Sequence, residues 1–274
     1  MGDDETFQHM EHAARLERVT DLLIPVKDAL SDRNVKRHLD DGLLRRIYML
    51  RHSANIFREI PKRGTKNPGV YLIMELNTTI NAAYLNIRGI LDNLAWALAH
   101  HMTLKPNLSE GEKQHRSFVN LFSDGFLTAV AGKDDELGIR LRHKSTWGRD
   151  LSRRRDPAAH RIPMYVPPAA VSPAEAAEIQ RQGAVALEKA KAGDRDAIGE
   201  YLQMFNTSGV FLPEIIISEQ DEHVVEELFT TLNNDFESLL DTIETILVFQ
   251  FIPQPSSSAH DWMCPPLPVR EMNR

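Results

Sequence analysis

A short basic stretch from Arg153 to His160, RRRDPAAH, places together the two side-chain types that can cleave RNA without a metal ion. An arginine guanidinium can hold a phosphate through two parallel hydrogen bonds, and it keeps its charge at any working pH. A histidine titrates near neutrality, so it can serve as a general base or a general acid. The histidine could help a ribose 2′-hydroxyl attack the adjacent phosphorus, while the arginine offsets the charge that builds on the phosphoryl oxygens.

The spacing of arginine and histidine is a weak signal by itself, because other pairs in the chain have similar separations. Arg33 with His38 and Arg46 with His52 are two examples. The first pair lies at a predicted junction between a loop and a helix, and the second lies in an amphipathic helix. Both pairs are therefore interpreted as surface residues.

The local context distinguishes the stretch that ends at His160. Asp156 and Pro157 form a cap-like pair that predicts the start of a helical turn, and Pro163 restricts that turn to a short one. The surrounding positive charge favours the neutral imidazole that a general base requires. The sequence leaves open which arginine of 153–155 would contact a phosphate.

The distribution of charge supports a local anion site rather than a nucleic-acid coat over the whole surface. The chain has a formal net charge of -7 at pH 7. Residues 139–161 nevertheless contain eight lysines or arginines against two aspartates. This basic window is compatible with a specific ligand that carries phosphate, and equally with a solvated basic face.

The elements that must position this window are mostly helices. Hydrophobic periodicity predicts long helices at about residues 5–30, 35–60, 70–102 and 222–250, with two shorter helices between about 109 and 150. In the third long helix, the side chains of Asn77, Asn81, Arg88 and Asp92 form one narrow polar seam. Arg88 and Asp92 could line a cleft beside His160 or form an internal salt bridge.

A small excursion interrupts the helical pattern after the basic window. Residues 162–166 and 209–218 read as short strands that could pair with each other. Between them, Ser172 and Glu175 form a capping box that predicts the start of a peripheral helical insertion at about 170–218. The predicted fold is therefore mainly α, an up-down helical bundle with a small two-stranded β element. It forms a single domain over residues 1–250, and residues 251–274 read as a disordered Pro- and Ser-rich tail.

The stretch from Arg155 to His160 resembles the R-x(4–6)-H motif of the HEPN superfamily, and Asp156 matches the polar residue that often follows the arginine. The seam-bearing helix before the motif and the long helix after it also resemble the HEPN bundle, over about residues 70–250. The resemblance implies a metal-independent endoribonuclease, or a non-catalytic relative that binds RNA or nucleotides, of a toxin–antitoxin or phage-defence type. It also implies a homodimer in which two motifs face one cleft, and an antitoxin-like protein as a possible partner.

Carried over to this chain, the resemblance makes Arg155 the phosphate-contacting arginine and His160 the catalytic histidine. Asp156 becomes the polar motif residue, with Arg154, Arg88 and Asp92 as supporting or cleft-lining residues. Two departures are the strand-like segment directly after the motif and the insertion at about 170–218. The alternative is a helical interaction or scaffold protein without enzymatic activity, whose partner the sequence does not identify.

Other kinds of site have less support. His100, His101 and His115 lack the spacing of metal ligands, so neither a metal nor another cofactor is expected. A single cysteine, Cys264, provides no disulfide framework. No apolar run is long enough to span a membrane, and the first residues lack the apolar core of a signal peptide. We therefore expect a cytoplasmic protein that does not associate with membranes.

Overall fold

The structure is a computed structural model that describes residues 6–105, 108, 115–160, 162–219 and 222–252, without the side chains of 157–160 and 219. The described residues do not include the predicted tail from residue 253 onward, Arg161, or residues 106–114 apart from Leu108. The described chain is mainly helical with one small antiparallel sheet, as the sequence predicts.

The elements follow one another in an order close to the predicted one. They are α1 (His9–Ala29), α2 (Arg33–Arg37), α3 (Arg45–Phe57), α4 (Val70–His101), α5 (Asp124–Ala131), α6 (Asp135–His143), α7 (Ser145–His160), α8 (Pro173–Lys191), α9 (Ala197–Thr207), β1 (Glu214–Glu219), β2 (Glu222–Glu227) and α10 (Leu228–Ile246). Two π-helical segments, His38–Leu44 and Leu247–Phe251, continue α2 into α3 and extend α10.

Helix α4 lies at the centre of the core and packs against α2, α3, α7 and α10. Most of its leucines and isoleucines are buried, as are those of α10, and together they form one continuous apolar cluster. The predicted polar seam interrupts this burial. The side chains of Asn77 and Asn81 bind the backbone of Val166 and Met164, which holds the segment after α7 against α4.

Two glycines bring the helical run of residues 33–57 unusually close to α4. A Cβ added to Gly42 would meet the Asn93 side chain at 2.0 Å, and one added to Gly89 would meet the guanidinium carbon of Arg46 at 2.3 Å. Asn93 also contacts His38, where its Oδ1 lies 3.2 Å from the ring Nδ1. The absence of a side chain at each glycine therefore allows a polar side chain of the neighbouring helix to lie against the backbone.

The predicted start of the last long helix is wrong. Residues 222–227 form strand β2 rather than the first turns of the last helix, which begins at Leu228. Val224 and Val225 pair with Ile217 and Ile216 of β1. β-branched residues favour a pleated strand, and this pairing outweighs the helical periodicity that continues into α10.

The predicted pairing of residues 162–166 with 209–218 is largely replaced by this hairpin. It persists only as an isolated bridge, in which Tyr165 and Ile216 exchange backbone hydrogen bonds of 3.2 and 2.8 Å. The strand at 214–219 is otherwise paired with β2. A hairpin partner that is close in sequence loses less chain entropy when it pairs, which favours β2 over the more distant segment.

The prediction that Asp156 and Pro157 start a helical turn is also wrong. Both residues lie inside α7, within its last five residues, and the helix begins at Ser145. Leu151 is fully buried and Trp147 packs against the core, so tertiary contacts stabilise the part of this helix that precedes the proline. Pro157 lacks a backbone N–H, so the helix has one intrahelical hydrogen bond fewer close to its C-terminal end.

The peripheral insertion is a hairpin of two helices, of which the sequence predicts only the first. The capping box at Ser172 and Glu175 is present as predicted. Helices α8 and α9 pack on each other, and Ala186 and Ala197 are their only buried residues. The hairpin therefore adds little to the core that holds the basic window.

Candidate functional site

Arg154 attaches α7 to the rest of the bundle through a buried carboxylate. Asp235 on α10 is only 2% exposed, and Nη1 of Arg154 lies 3.2 Å from each of its carboxylate oxygens. The Tyr84 hydroxyl and the Trp147 indole donate to the same carboxylate at 2.7 and 2.9 Å. Donors from α4 and α7 thus fill the hydrogen-bonding positions of this carboxylate on α10, and the resulting link among three helices fixes the rotation of α7 about its axis.

The second carboxylate that Arg154 contacts belongs to Glu226 of strand β2. Nε of Arg154 donates to Oε2 of Glu226 at 2.8 Å. Burial raises the pKa of Asp235, and the charge of Arg154 opposes that change. Burial likewise raises the pKa of Tyr84, so its hydroxyl remains protonated and donates. Arg154, predicted as a supporting residue, is therefore a structural anchor whose charge is already matched.

Arg155 follows Arg154 by about 100° around the helix, which turns it from α10 towards α4. Its Nη1 lies 3.0 Å from Oδ1 of Asp156, and that carboxylate is 49% exposed. Its Nε is buried, and no atom of the described residues accepts a hydrogen bond from it. An unmatched buried donor on a guanidinium is costly, and an anionic ligand would satisfy it.

Arg88 and Asp92 of the α4 seam form the internal salt bridge that the sequence offers as one of two roles. Nε of Arg88 lies 3.1 Å from Oδ1 of Asp92. The Asp92 side chain remains 44% exposed although protein atoms surround it closely, and this desolvation raises its pKa. The charges of Arg88, Arg155 and Arg46 oppose the change, so all three guanidiniums act on this one carboxylate.

Arg46 belongs to this group although the sequence favours a surface role for it. Its guanidinium lies against the backbone of α4 at Gly89, and its Nη1 donates to Oδ1 of Asn86 at 3.2 Å. The available signal is the glycine, since a glycine within a long buried helix marks a close approach by a neighbour. We refer to Arg46, Arg88 and Arg155 around Asp92 as the Asp92 cluster.

His160 is the last residue of α7, and its side chain lies outside the described residues. Positions 155 and 160 of an ideal helix are separated by about 7.5 Å along the axis and about 140° around it. Of the predicted set, Arg88 and Asp92 are in direct contact, and the charge of Arg155 acts on Asp92. The position of the imidazole relative to them stays a prediction.

Other classes of site find no support in the described part of the chain. No group of three histidine, cysteine, aspartate or glutamate side chains among residues 6–252, outside the gaps, is arranged to hold a metal ion. His101 instead packs on Phe251 with ring centroids 4.7 Å apart. Within the same residues, no helix combines the length and apolar character needed to cross a bilayer.

No protein-family model matches the chain, and no solved structure matches it significantly.

Proposed function

We propose that this protein is an HEPN-like endoribonuclease that works without a metal ion, in which Arg155 binds the phosphate and His160 transfers the proton. The observation that supports this role best is the position of Arg155. Arg154 is held by Asp235, whereas the charge of Arg155 acts on Asp92, and the buried Nε of Arg155 has no acceptor among the described residues. This supports Arg155 rather than Arg154 as the motif arginine.

In the proposed reaction, His160 accepts the proton of a ribose 2′-hydroxyl while the 2′-oxygen attacks the adjacent phosphorus. The bond from phosphorus to the 5′-oxygen breaks, which leaves a 2′,3′-cyclic phosphate and a new 5′-hydroxyl end. Arg155 and Arg88 offset the negative charge that develops on the phosphoryl oxygens. The leaving 5′-oxygen takes its proton from a second acid.

We further propose that the helices form an HEPN-like, up-down bundle and that the protein is a homodimer. The second copy of the chain provides that second acid. Positions 155 and 160 are offset around α7, so one copy does not present both from one face of the helix. Two copies with facing motifs would place the His160 of one opposite the Arg155 of the other. One imidazole then acts as base and the second as acid. Sedimentation of the purified chain should accordingly give twice the monomer mass.

Cleavage of total RNA in the presence of EDTA tests the catalytic proposal. We expect wild-type protein to produce cyclic-phosphate ends, and His160→Ala and Arg155→Ala to lose about a hundredfold or more in rate. Arg149→Ala and His143→Ala are matched controls, because both residues are exposed and lie in the same basic window. They should retain wild-type rates.

The outcomes separate the proposed functions. Equal cleavage by wild type and His160→Ala would refute the assigned role of His160. Binding of RNA without cleavage would identify a non-catalytic RNA-binding relative instead. If the wild type neither binds nor cleaves RNA, the alternative of a helical interaction protein is favoured. Growth arrest on expression, lost with His160→Ala, would support a toxin or phage-defence role and justify a search for an antitoxin-like partner.

A further inference from the structure

An open groove of about 520 Å³ lies between the start of α4 and helix α9, and its lining includes Val70, Tyr71 and Leu202. Tyr71 is 85% exposed and Leu202 is 48% exposed. Ile198 and Phe205 continue the apolar face of α9 at helical spacing and are exposed as well. A group of exposed apolar side chains of this kind is typical of an interaction surface. We refer to it as the α4–α9 groove.

The polar side chains that line the α4–α9 groove are uncharged. They belong to Asn67, Gln203, Asn206 and Thr207. Charged residues make up 26% of the chain, yet none of the described residues that line the groove is charged. A charged segment that entered the groove would lose its hydration without gaining an ion pair there. The occupant that fits is therefore an uncharged and largely apolar segment.

The chain contains a segment of this composition beyond the described residues. Trp262–Val269, WMCPPLPV, has eight residues without a charged side chain, and three of them are prolines. Proline has no backbone N–H, so such a segment offers mainly carbonyl oxygens, to which the amides of Gln203 and Asn206 can donate. Exposed aromatic side chains such as that of Tyr71 are common partners of proline-rich peptides. The groove and the segment thus match in charge, apolar character and hydrogen bonding.

The length of the connecting chain favours a second copy as the source of this segment. Phe251 contacts His101 at the C-terminal end of α4, whereas the groove lies at the first residues of that helix. The 32 residues of α4 span about 48 Å. Leu267 follows Ile252 by 15 residues, which reach about 54 Å when fully extended but average about 21 Å in a flexible chain. The segment of the same copy would have to be stretched almost completely, and that of a second copy would not.

We propose that the α4–α9 groove is a docking site for the segment Trp262–Val269 of a second copy of this chain. Two copies related by a twofold axis exchange their segments reciprocally, so both grooves are filled. Neither Arg155 nor His160 lines the groove, so the exchange does not depend on the proposed nuclease. The exchange gives the peripheral hairpin, which adds little to the core, a role in holding two copies together.

Cys264 makes this exchange directly testable, because it is the one cysteine of the chain and lies inside the segment. A full-length variant with Gln203→Cys and Cys264→Ser is mixed with wild type under mild oxidation. A disulfide between positions 203 and 264 can then form only between two copies. The matched control carries Gln180→Cys and Cys264→Ser, since Gln180 is an exposed glutamine on α8 of the same hairpin. We expect the mixed disulfide, measured by mass spectrometry, to form at least about tenfold more from Gln203→Cys.

Gly199→Gln tests the groove without adding a thiol. Gly199 lines the groove and is exposed, and no heavy atom of the described chain lies within 4 Å of an added Cβ. The folded chain should therefore accommodate the longer side chain, which obstructs the groove. A fluorophore on Cys264 should show a high anisotropy that falls on dilution and in Gly199→Gln. Gly125→Gln is the matched control and should retain the wild-type anisotropy, because Gly125 is equally open and lies outside the groove.

Three results would overturn the exchange. Equal disulfide yields at positions 203 and 180 would remove the groove as the docking site, and so would an anisotropy that Gly199→Gln leaves unchanged. A Gln203→Cys variant that retains Cys264 provides the third test. If its disulfide between positions 203 and 264 forms within one chain and leaves the protein at monomer mass, the same copy fills the groove.

Discussion

Replacing each of the three consecutive arginines by alanine should give three different results. Arg154→Ala should lower the free energy of unfolding the most. It removes the cation that faces the carboxylate of Asp235, which is only 2% exposed. Arg155→Ala should fold normally and lose function. Arg153 has an exposed side chain, so Arg153→Ala should have little effect on stability or function.

The magnitudes follow from burial. Removal of one partner from a buried ion pair costs about 3–5 kcal/mol, and Arg154 also contacts a second carboxylate, that of Glu226. Arg155 and Asp156 are 30% and 49% exposed, so the loss of their ion pair should cost about 1 kcal/mol or less. The exposed Arg153 should change the free energy of unfolding by about 0.5 kcal/mol.

Urea denaturation followed by far-ultraviolet circular dichroism measures these differences. A double-mutant cycle of Arg154→Ala with Asp235→Asn should show that the two residues are coupled, because each change removes the same interaction. The reasoning fails if Arg154→Ala is as stable as Arg153→Ala, or if the cycle shows no coupling. In either case α7 would not be fixed by this pair, and the orientation of Arg155 would lose its basis.

Three further predictions concern the scaffold. Gly138→Ala should cost about 1–3 kcal/mol, because its Cβ would lie 2.7 Å from the Cα of Ala131, whereas the Gly125→Ala control has nothing within 4 Å and should be neutral or stabilising in urea denaturation. Burial lowers the pKa of His12, so the unfolded chain binds the proton more readily than the folded protein does. The free energy of unfolding should therefore fall as the pH drops below about 6.5. A His12→Asn variant measured at several pH values should lack the part of this fall that is due to His12. Ser172→Ala removes the cap of α8 and should lower the helical signal of that hairpin at a cost of about 1 kcal/mol, and an unchanged thermal unfolding curve would contradict this.

The sequence predicts the long helices well because their apolar residues recur at helical spacing over many turns. Helix α4 is predicted at 70–102 and found at Val70–His101, and its polar seam is present. The helical period does not distinguish β2, since Val224 and Val225 fit the start of an amphipathic helix as well as they fit a strand. Only the pairing with β1 decides between them, and that pairing is a contact between two segments.

The candidate site is predictable in its residue types and not in its arrangement. The sequence groups Arg88 with Asp92, and the two form a salt bridge, while the charge of Arg155 acts on the same carboxylate. The roles of these residues in a site stay predictions. The contact of Arg154 with Asp235 is not predictable, because the two residues lie far apart in the chain and no local pattern connects them. Arg46 is missed for the same reason, since its place depends on which helix packs at Gly89.

The hairpin of α8 and α9 enters and leaves the bundle at one point. Ala170 and Val210 exchange backbone hydrogen bonds of 2.8 and 3.0 Å, so the two ends of the intervening segment lie side by side. A short turn could join these residues directly and close the chain without the hairpin. The segment is thus a removable module, and the same junction could accept a different domain in its place. Such a junction gives evolution, or an engineer, a position at which to attach a new partner-binding unit without disturbing the arginines on α7.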